Sequence, residues 1–320
     1  MSDWARERED ADWAVQEERE RSPERGDGAY NFANCTGFLD FYEMHTRDHQ
    51  AGVPEVVQAL CRDLLEKDAE TPRDTVFEVK TFPKTCERLL MKDPSGVNRL
   101  IGELVVPSAE TARDRGLTEF DHYSVSMGDV WKWMLPLIEN EREEMRRPQP
   151  DYAVGFLADA FTEEQLRKME PYSGIESYFR CTASMYFPFL TTEIATSKPL
   201  DMADVENTYS AGLGAGGVVG LFREAKREEE LHEQVVAFSI SHSHCAVRIY
   251  AHYVMVDDGK VSYYRHLVRE YELTPADIED RWTSYKFALA LYSNWAPEYH
   301  RRLCSAIDDL PDPPELDTPN

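Results

Sequence analysis

Among 320 residues no apolar run reaches the roughly 18 needed to cross a bilayer, so the sequence offers no membrane span. The first residues, MSDWAREREDADWAVQEERERSPERGDG, have no apolar core of the kind a secretory signal needs, and the chain reads as an intracellular protein. Basic charge is scarce: 35 Lys and Arg stand against 60 Asp and Glu, a net of -25. Such a chain repels a phosphate backbone at long range, which excludes non-specific nucleic-acid binding as a default. The six cysteines (Cys35, Cys61, Cys86, Cys181, Cys245 and Cys304) form no CxxC pair, which argues against a zinc ribbon or a redox motif. They read as reduced and mostly buried thiols. Nor is apolar content short: at 42% hydrophobic and 11% aromatic the chain can build a sizeable core, so it is neither wholly disordered nor fibrous.

The pattern divides the chain into four stretches. Residues 1–30 are charged and read as a flexible or marginally helical tail; 31–114 read as a helical region packing on the core; 115–310 read as an α/β domain; and the Pro-rich 311–320 reads as a second tail. Val53, Val56, Val57, Leu60, Cys61, Leu64 and Leu65 follow helical spacing. Residues 75–80 (TVFEVK) suggest a short strand, 97–107 a helix, and 130–145 another helix ending before Pro148 and Pro150. Strands are expected over 152–156, 186–195, 235–241, 246–254 and 261–268, with a turn at Asp257-Asp258-Gly259. Helices are expected near 163–169, over 204–234 as one or two pieces, from a cap at Thr274-Pro275 through Tyr292, and from Pro297 to Ile307.

Several motifs invite chemistry. Asp151 enters one strand expected here and Glu193 lies on another, a pair of hard carboxylates that could hold magnesium. With 60 acidic residues, chance supplies such a pair readily. Gly212–Gly217 fits GxGxxG, but a polar, helix-like stretch precedes it where a dinucleotide site needs a strand, so the glycines read as a close helix-packing surface and no organic cofactor is expected. His242, His244, His252 and His266 cluster on late strands without a completing carboxylate or cysteine, which favours structural histidines over zinc. Arg248, Arg265 and Arg269 with Tyr250, Tyr253, Tyr263 and Tyr264 could line a nucleic-acid-binding strip, or simply a sheet face covered by salt bridges. Ser241-His242 has no GxSxG elbow to make it a hydrolase pair.

The stretches PQPDYAVGF (148–156), YFPFLTTEI (186–194), FSISHSHCAVRIYAHY (238–253), YYRH (263–266) and WTSYKF (282–287) resemble an uncharacterised fungal family carrying a domain similar to the PD-(D/E)xK, restriction-endonuclease-like nucleases. The resemblance spans about residues 75–310. It implies a restriction-endonuclease-like mixed sheet flanked by helices with a helical N-terminal extension, Asp151 as the first motif acid and Glu193 as the second, with a helical insertion between them. The family's acid is followed by Val-Lys, whereas Ile194 and Ala195 follow Glu193, so the motif lysine is missing. The family's Asp-Ile-Ala-Asp-Arg-Gln-Asn becomes 201–207, with Val205 and Glu206 replacing Arg and Gln. The expectation from this departure is a catalytically degenerate nuclease-fold protein that binds a nucleic acid or a protein partner. The alternative is an active magnesium-dependent DNA or RNA phosphodiesterase in which Lys198 replaces the lost lysine. Strand parity places Lys198 on the face opposite Glu193 unless the strand ends or bulges after Ala195.

Overall fold

A computed structural model describes residues 37, 39–132, 147–172, 178–195, 198–275 and 279–312. Residues 1–30, most of the helix expected over 130–145, and part of the cap expected at Thr274-Pro275 lie outside them. The described chain is α/β, with one seven-stranded mixed sheet flanked by helices. The strands are β1 (Met44–His45), β2 (Tyr123–Ser126), β3 (Tyr152–Phe156), β4 (Tyr186–Ile194), β5 (Gln234–His242), β6 (Ala246–Asp257) and β7 (Lys260–Glu272), in the spatial order β1-β7-β6-β5-β4-β3-β2. Strands β2, β3 and β4 pair antiparallel, β4 and β5 parallel, β5, β6 and β7 antiparallel, and β1 parallel to β7.

Four helices precede the central strands: α1 (Glu55–Glu66), α2 (Phe82–Leu89), α3 (Pro94–Val105) and α4 (Ala109–Asp114). Helix α1 buries Val57, Cys61 and Leu64 at the spacing that the sequence shows. Asp93 caps α3, its Oδ1 accepting the Gly96 N–H at 2.8 Å, with Pro94 pre-set at the first helical position. Helix α5 (Glu163–Met169) opens on a capping box: Thr162 Oγ1 accepts the Gln165 N–H and Gln165 Oε1 accepts the Thr162 N–H.

The long α6 (Leu200–Glu224) is the crossover from β4 to the parallel β5, and it lies across both. On the far side, α7 (Thr283–Ala290), a π-helical turn at Leu291–Trp295 and α8 (Ala296–Asp308) complete the core. There Phe238 of β5 meets Phe287 and Trp295, and Trp295 stacks on Tyr299 with ring centroids 4.4 Å apart. Among the described residues no helix is long and apolar enough to cross a membrane.

Three expectations are corrected. Residues 75–80 form no strand, because side chains there satisfy the backbone locally: Glu78 Oε1 accepts the Asp74 N–H and Thr75 Oγ1 the Phe77 N–H, while Phe77 packs edge-on against Phe82 and Trp282. The helix expected over 204–234 starts at Leu200 and ends at Glu224, where Arg227 turns into a short 3-10 segment, Glu228–Leu231. Cys245 is exposed, in the bend between β5 and β6.

The glycine stripe lies in the middle of α6, preceded by residues 200–211 of the same helix rather than by a strand end, so it lacks the strand-to-helix turn of a dinucleotide site. Its role is close approach. A Cβ on Gly214 would stand 2.8 Å from the Pro188 carbonyl oxygen of β4, a backbone atom that cannot swing away. Gly214→Ala is therefore expected to destabilise the protein by about 1–3 kcal/mol, the cost of overpacking, measurable by urea unfolding. A loss below a few tenths of a kcal/mol would mean that α6 rides higher on the sheet.

Candidate active site

Asp151 stands immediately before β3, and the register Tyr152↔Thr192 sets it opposite Glu193 on the neighbouring β4. Opposed residues of an antiparallel pair point to the same face. Asp151 Oδ2 accepts the Ile194 N–H at 2.8 Å, which fixes this carboxylate at the end of the strand pair. Glu193 is 4% exposed and pairs in register with Ser241 of β5. The two acids that the sequence singles out, 42 positions apart (193 minus 151), thus meet on adjacent strands, and the intervening chain carries α5.

Lys198 joins them. Strand β4 ends at Ile194, the Ala195 N–H donates to the His242 carbonyl at 2.8 Å, and Lys198 lies outside the strand. Pro199 has the extended backbone of a helix cap and disfavours helical geometry at Lys198, so α6 starts at Leu200. Strand parity no longer governs Lys198, and its ammonium turns back. The Nζ lies 3.5 Å from Glu193 Oε2 and also donates to Glu206 Oε2 from α6. The Lys198 and Glu206 side chains are 23% and 13% exposed.

Two carboxylates, Glu193 and Glu206, contact the ammonium, and the Asp151 charge acts on it from nearby. Burial pushes the Glu193 carboxyl well above the ordinary range; the Lys198 charge opposes this, while Asp151 and Glu206 add to it. Burial disfavours the Lys198 ammonium, but Glu193 and Glu206 outweigh it and its pKa rises. Beside the cluster, Asn207 Nδ2 donates to the Ile240 carbonyl and to Ser241 Oγ at 3.1 and 3.0 Å. The Oδ1 of Asn207 and the Oγ1 of Thr191, two residues before Glu193 on β4, are buried with no hydrogen-bond partner.

These donors suit a hard divalent cation. Asp151 and Glu193 offer carboxylate oxygens, the unpaired Thr191 Oγ1 lies on β4 with Glu193, and the unpaired Asn207 Oδ1 lies on α6. Among the described residues no three His, Cys, Asp or Glu side chains form a metal-holding group. A hard cation placed between Asp151 and Glu193 would take two carboxylates, a number that magnesium, which keeps several waters, can use.

The other sequence candidates lie elsewhere. Arg248 donates to Asp201, Asp204 and Glu270 at 2.6–2.7 Å. Arg265 lies 4.3 Å over the Tyr250 ring and donates to the Asp204 and Thr46 carbonyls and to Thr208 Oγ1. Arg269 pairs with Asp280, and burial raises the pKa of the Tyr263 phenol. The four do not form an open cationic strip: carboxylates and carbonyls occupy the guanidinium groups, and Asp204 ties Arg248, Tyr250 and Arg265 together. His242 and His252 are buried, and burial depresses their pKa values to about 4 and about 3. His266 Nδ1 lies 3.1 Å from Asp48.

Sequence reasoning passed over Glu206, registering it as the loss of a Gln. The available signal was its place in the second turn of a helix starting after Lys198-Pro199, since helical side chains lean toward the N-terminus and Glu206 can reach the residue before the helix.

Residues 81–307 match the model of a domain of unknown function, DUF7924, and the chain belongs to that family. No curated protein and no solved structure matches the chain.

Proposed function

We propose that this protein is a magnesium-dependent phosphodiesterase of the PD-(D/E)xK, restriction-endonuclease-like type, acting on DNA or RNA, with the motif lysine relocated to position 198. The observation that carries this reading is the return of Lys198 to Glu193, 3.5 Å from its carboxylate, beside Asp151. The mixed sheet, the acid entering β3 and the acid on β4 agree with the sequence resemblance. Asp151 and Glu193 would hold the cation, which when bound supplies Lewis-acid stabilisation of charge on the phosphate. The Lys198 ammonium orients the attacking water and offsets negative charge as it develops on the scissile phosphate. Helix α6 covers the sheet face beside these groups and keeps them largely out of bulk water, and in that lower-dielectric setting a fixed charge acts more strongly than it would in water.

A catalytically degenerate binding protein is the second reading, favoured by Ala195 at the position of the family's lysine. Cleavage of single- and double-stranded DNA and RNA probes with magnesium or manganese separates the two. Activity is expected in the wild type, with a loss of about 10²–10³-fold in Lys198→Ala, the usual cost of removing one charge-stabilising donor. No cleavage above an Asp151→Ala control would overturn the active reading. Turnover unchanged in Lys198→Ala would remove Lys198 from it.

A further inference from the structure

We propose that Glu206 is the positioning residue of this site: α6, through Glu206, holds the Lys198 ammonium against Glu193. The proposal rests on the phosphodiesterase reading for its consequence, but its geometry stands independently. Lys198 lies beyond the end of β4, so no strand ladder fixes its backbone. Its flexible four-carbon stem needs an anchor if the ammonium is to occupy one place. The Lys198 contact to Glu193 uses one carboxylate oxygen, Oε2, at 3.5 Å, a long hydrogen bond that by itself holds the ammonium loosely. Glu206 supplies the second carboxylate, from a rigid element, in direct contact with the ammonium.

The position of Glu206 is in turn set by its neighbours on α6. Asp204 is tied to Arg248 and Tyr250 of β6, with Oδ2 accepting at 2.7 and 2.9 Å. Val205 is buried with Ala153 of β3. Asn207 donates to Ile240 and Ser241 of β5. Residues on both sides of Glu206 are thus fastened to the sheet, and the carboxylate between them has little freedom to drift. This arrangement replaces a lysine carried on the strand by one carried in a turn and braced by a helix.

The test uses the full-length chain and two readouts. The first is the rate of reductive methylation of Lys198 by formaldehyde and borohydride, followed by mass spectrometry, with the exposed Lys260 as internal reference. Lys198 is expected to react slowly in the wild type and at least tenfold faster in Glu206→Gln, with Lys260 unchanged. The second is magnesium-dependent cleavage, in which Glu206→Gln is expected to lower kcat about 100-fold with KM moved less than threefold. Ala195→Lys in the Glu206→Gln background, which restores an ammonium beside Glu193 without the brace, should recover part of kcat. If Glu206→Gln does not fold, Glu206→Asp, which keeps the charge, should give a methylation rate between the two. An unchanged Lys198 rate in a folded Glu206→Gln variant overturns the positioning role. Faster methylation in a chain whose wild type cleaves nothing supports the positioning role and overturns the phosphodiesterase reading instead.

Discussion

Glu193→Gln is expected to abolish cleavage and to stabilise the protein at the same time. On the proposed phosphodiesterase reading, activity should fall by about 10³-fold or more, because the cation would lose a charged ligand and the Lys198 ammonium one of its partners. Stability should move the other way. Burial raises the Glu193 pKa above its unfolded value, so the folded chain holds this proton more tightly than the unfolded chain. The stability that follows is complete below the ordinary glutamate range, near pH 4.5, and is lost as pH rises through the folded value. Above pH 4.5 the wild type bears a cost for this buried, crowded carboxylate that grows with pH until the folded value is passed. Glutamine bears none of it, and Lys198 keeps Glu206 as its counter-ion. A gain of about 1 kcal/mol at pH 7, or roughly 2–4 °C in Tm, is expected, disappearing near pH 4. Equal destabilisation at both pH values would show that Glu193 serves packing rather than the site.

Acid should unfold the protein through two histidines. His242 and His252 are buried and neutral, with pKa values depressed to about 4 and about 3, and His252 Nε2 lies 2.8 Å from Ser239 Oγ. In the unfolded chain both titrate near the ordinary 6.5. A depressed folded pKa gives stability that is present above the unfolded value and lost as pH falls toward the folded one. Each histidine's cost approaches about 1.4 kcal/mol per pH unit only about a unit below that value, so the pair costs about 4 kcal/mol between pH 6.5 and 4.5, a large part of a typical folding free energy. Urea titrations at pH 7, 6 and 5 measure the slope. His252→Gln, which can keep a hydrogen bond to Ser239, should roughly halve it; an unaltered slope would exclude His252 as a cause.

Much of the sheet is legible in the sequence because its strands are buried on both faces and read as short apolar runs bounded by polar turns, as in 152–156 and 186–194. The hairpin at Asp258-Gly259 is legible for a different reason, since both residues take positive φ, 51° and 77°, which an Asp-Gly pair tolerates. Strand β2 leaves little trace: Tyr123, Ser124, Val125 and Ser126 include two small hydroxyls on a four-residue element, and Ser124 and Ser126 are buried all the same. The opposite failure is residues 75–80, where strand-forming residues yield to side-chain-to-backbone bonds. At the site, Asp151 and Glu193 are legible because the strands that carry them are. Lys198 is legible as a candidate, but its side is not, because parity holds only while the strand lasts, and β4 stops four residues short of it. The cationic strip fails for a reason that no spacing rule contains: its partners Asp201, Asp204 and Asp280 come from other elements.

Strand β1 has a bearing on the order of events in folding. It is two residues long, pairs with Tyr263 and Tyr264 of β7, and is accompanied by Arg265 reaching the Thr46 carbonyl across 219 positions of chain. Formed before the rest of the chain, this contact would close a free loop at a cost on the order of 5 kcal/mol in chain entropy, more than two ladder residues return. Before β7 has formed its hairpin with β6, and α6 has come down on the sheet, β1 has no edge to join. Its docking is a late step, and the segment around residues 44–47 should be the first to open in native-state hydrogen exchange, ahead of the strands that carry Asp151 and Glu193.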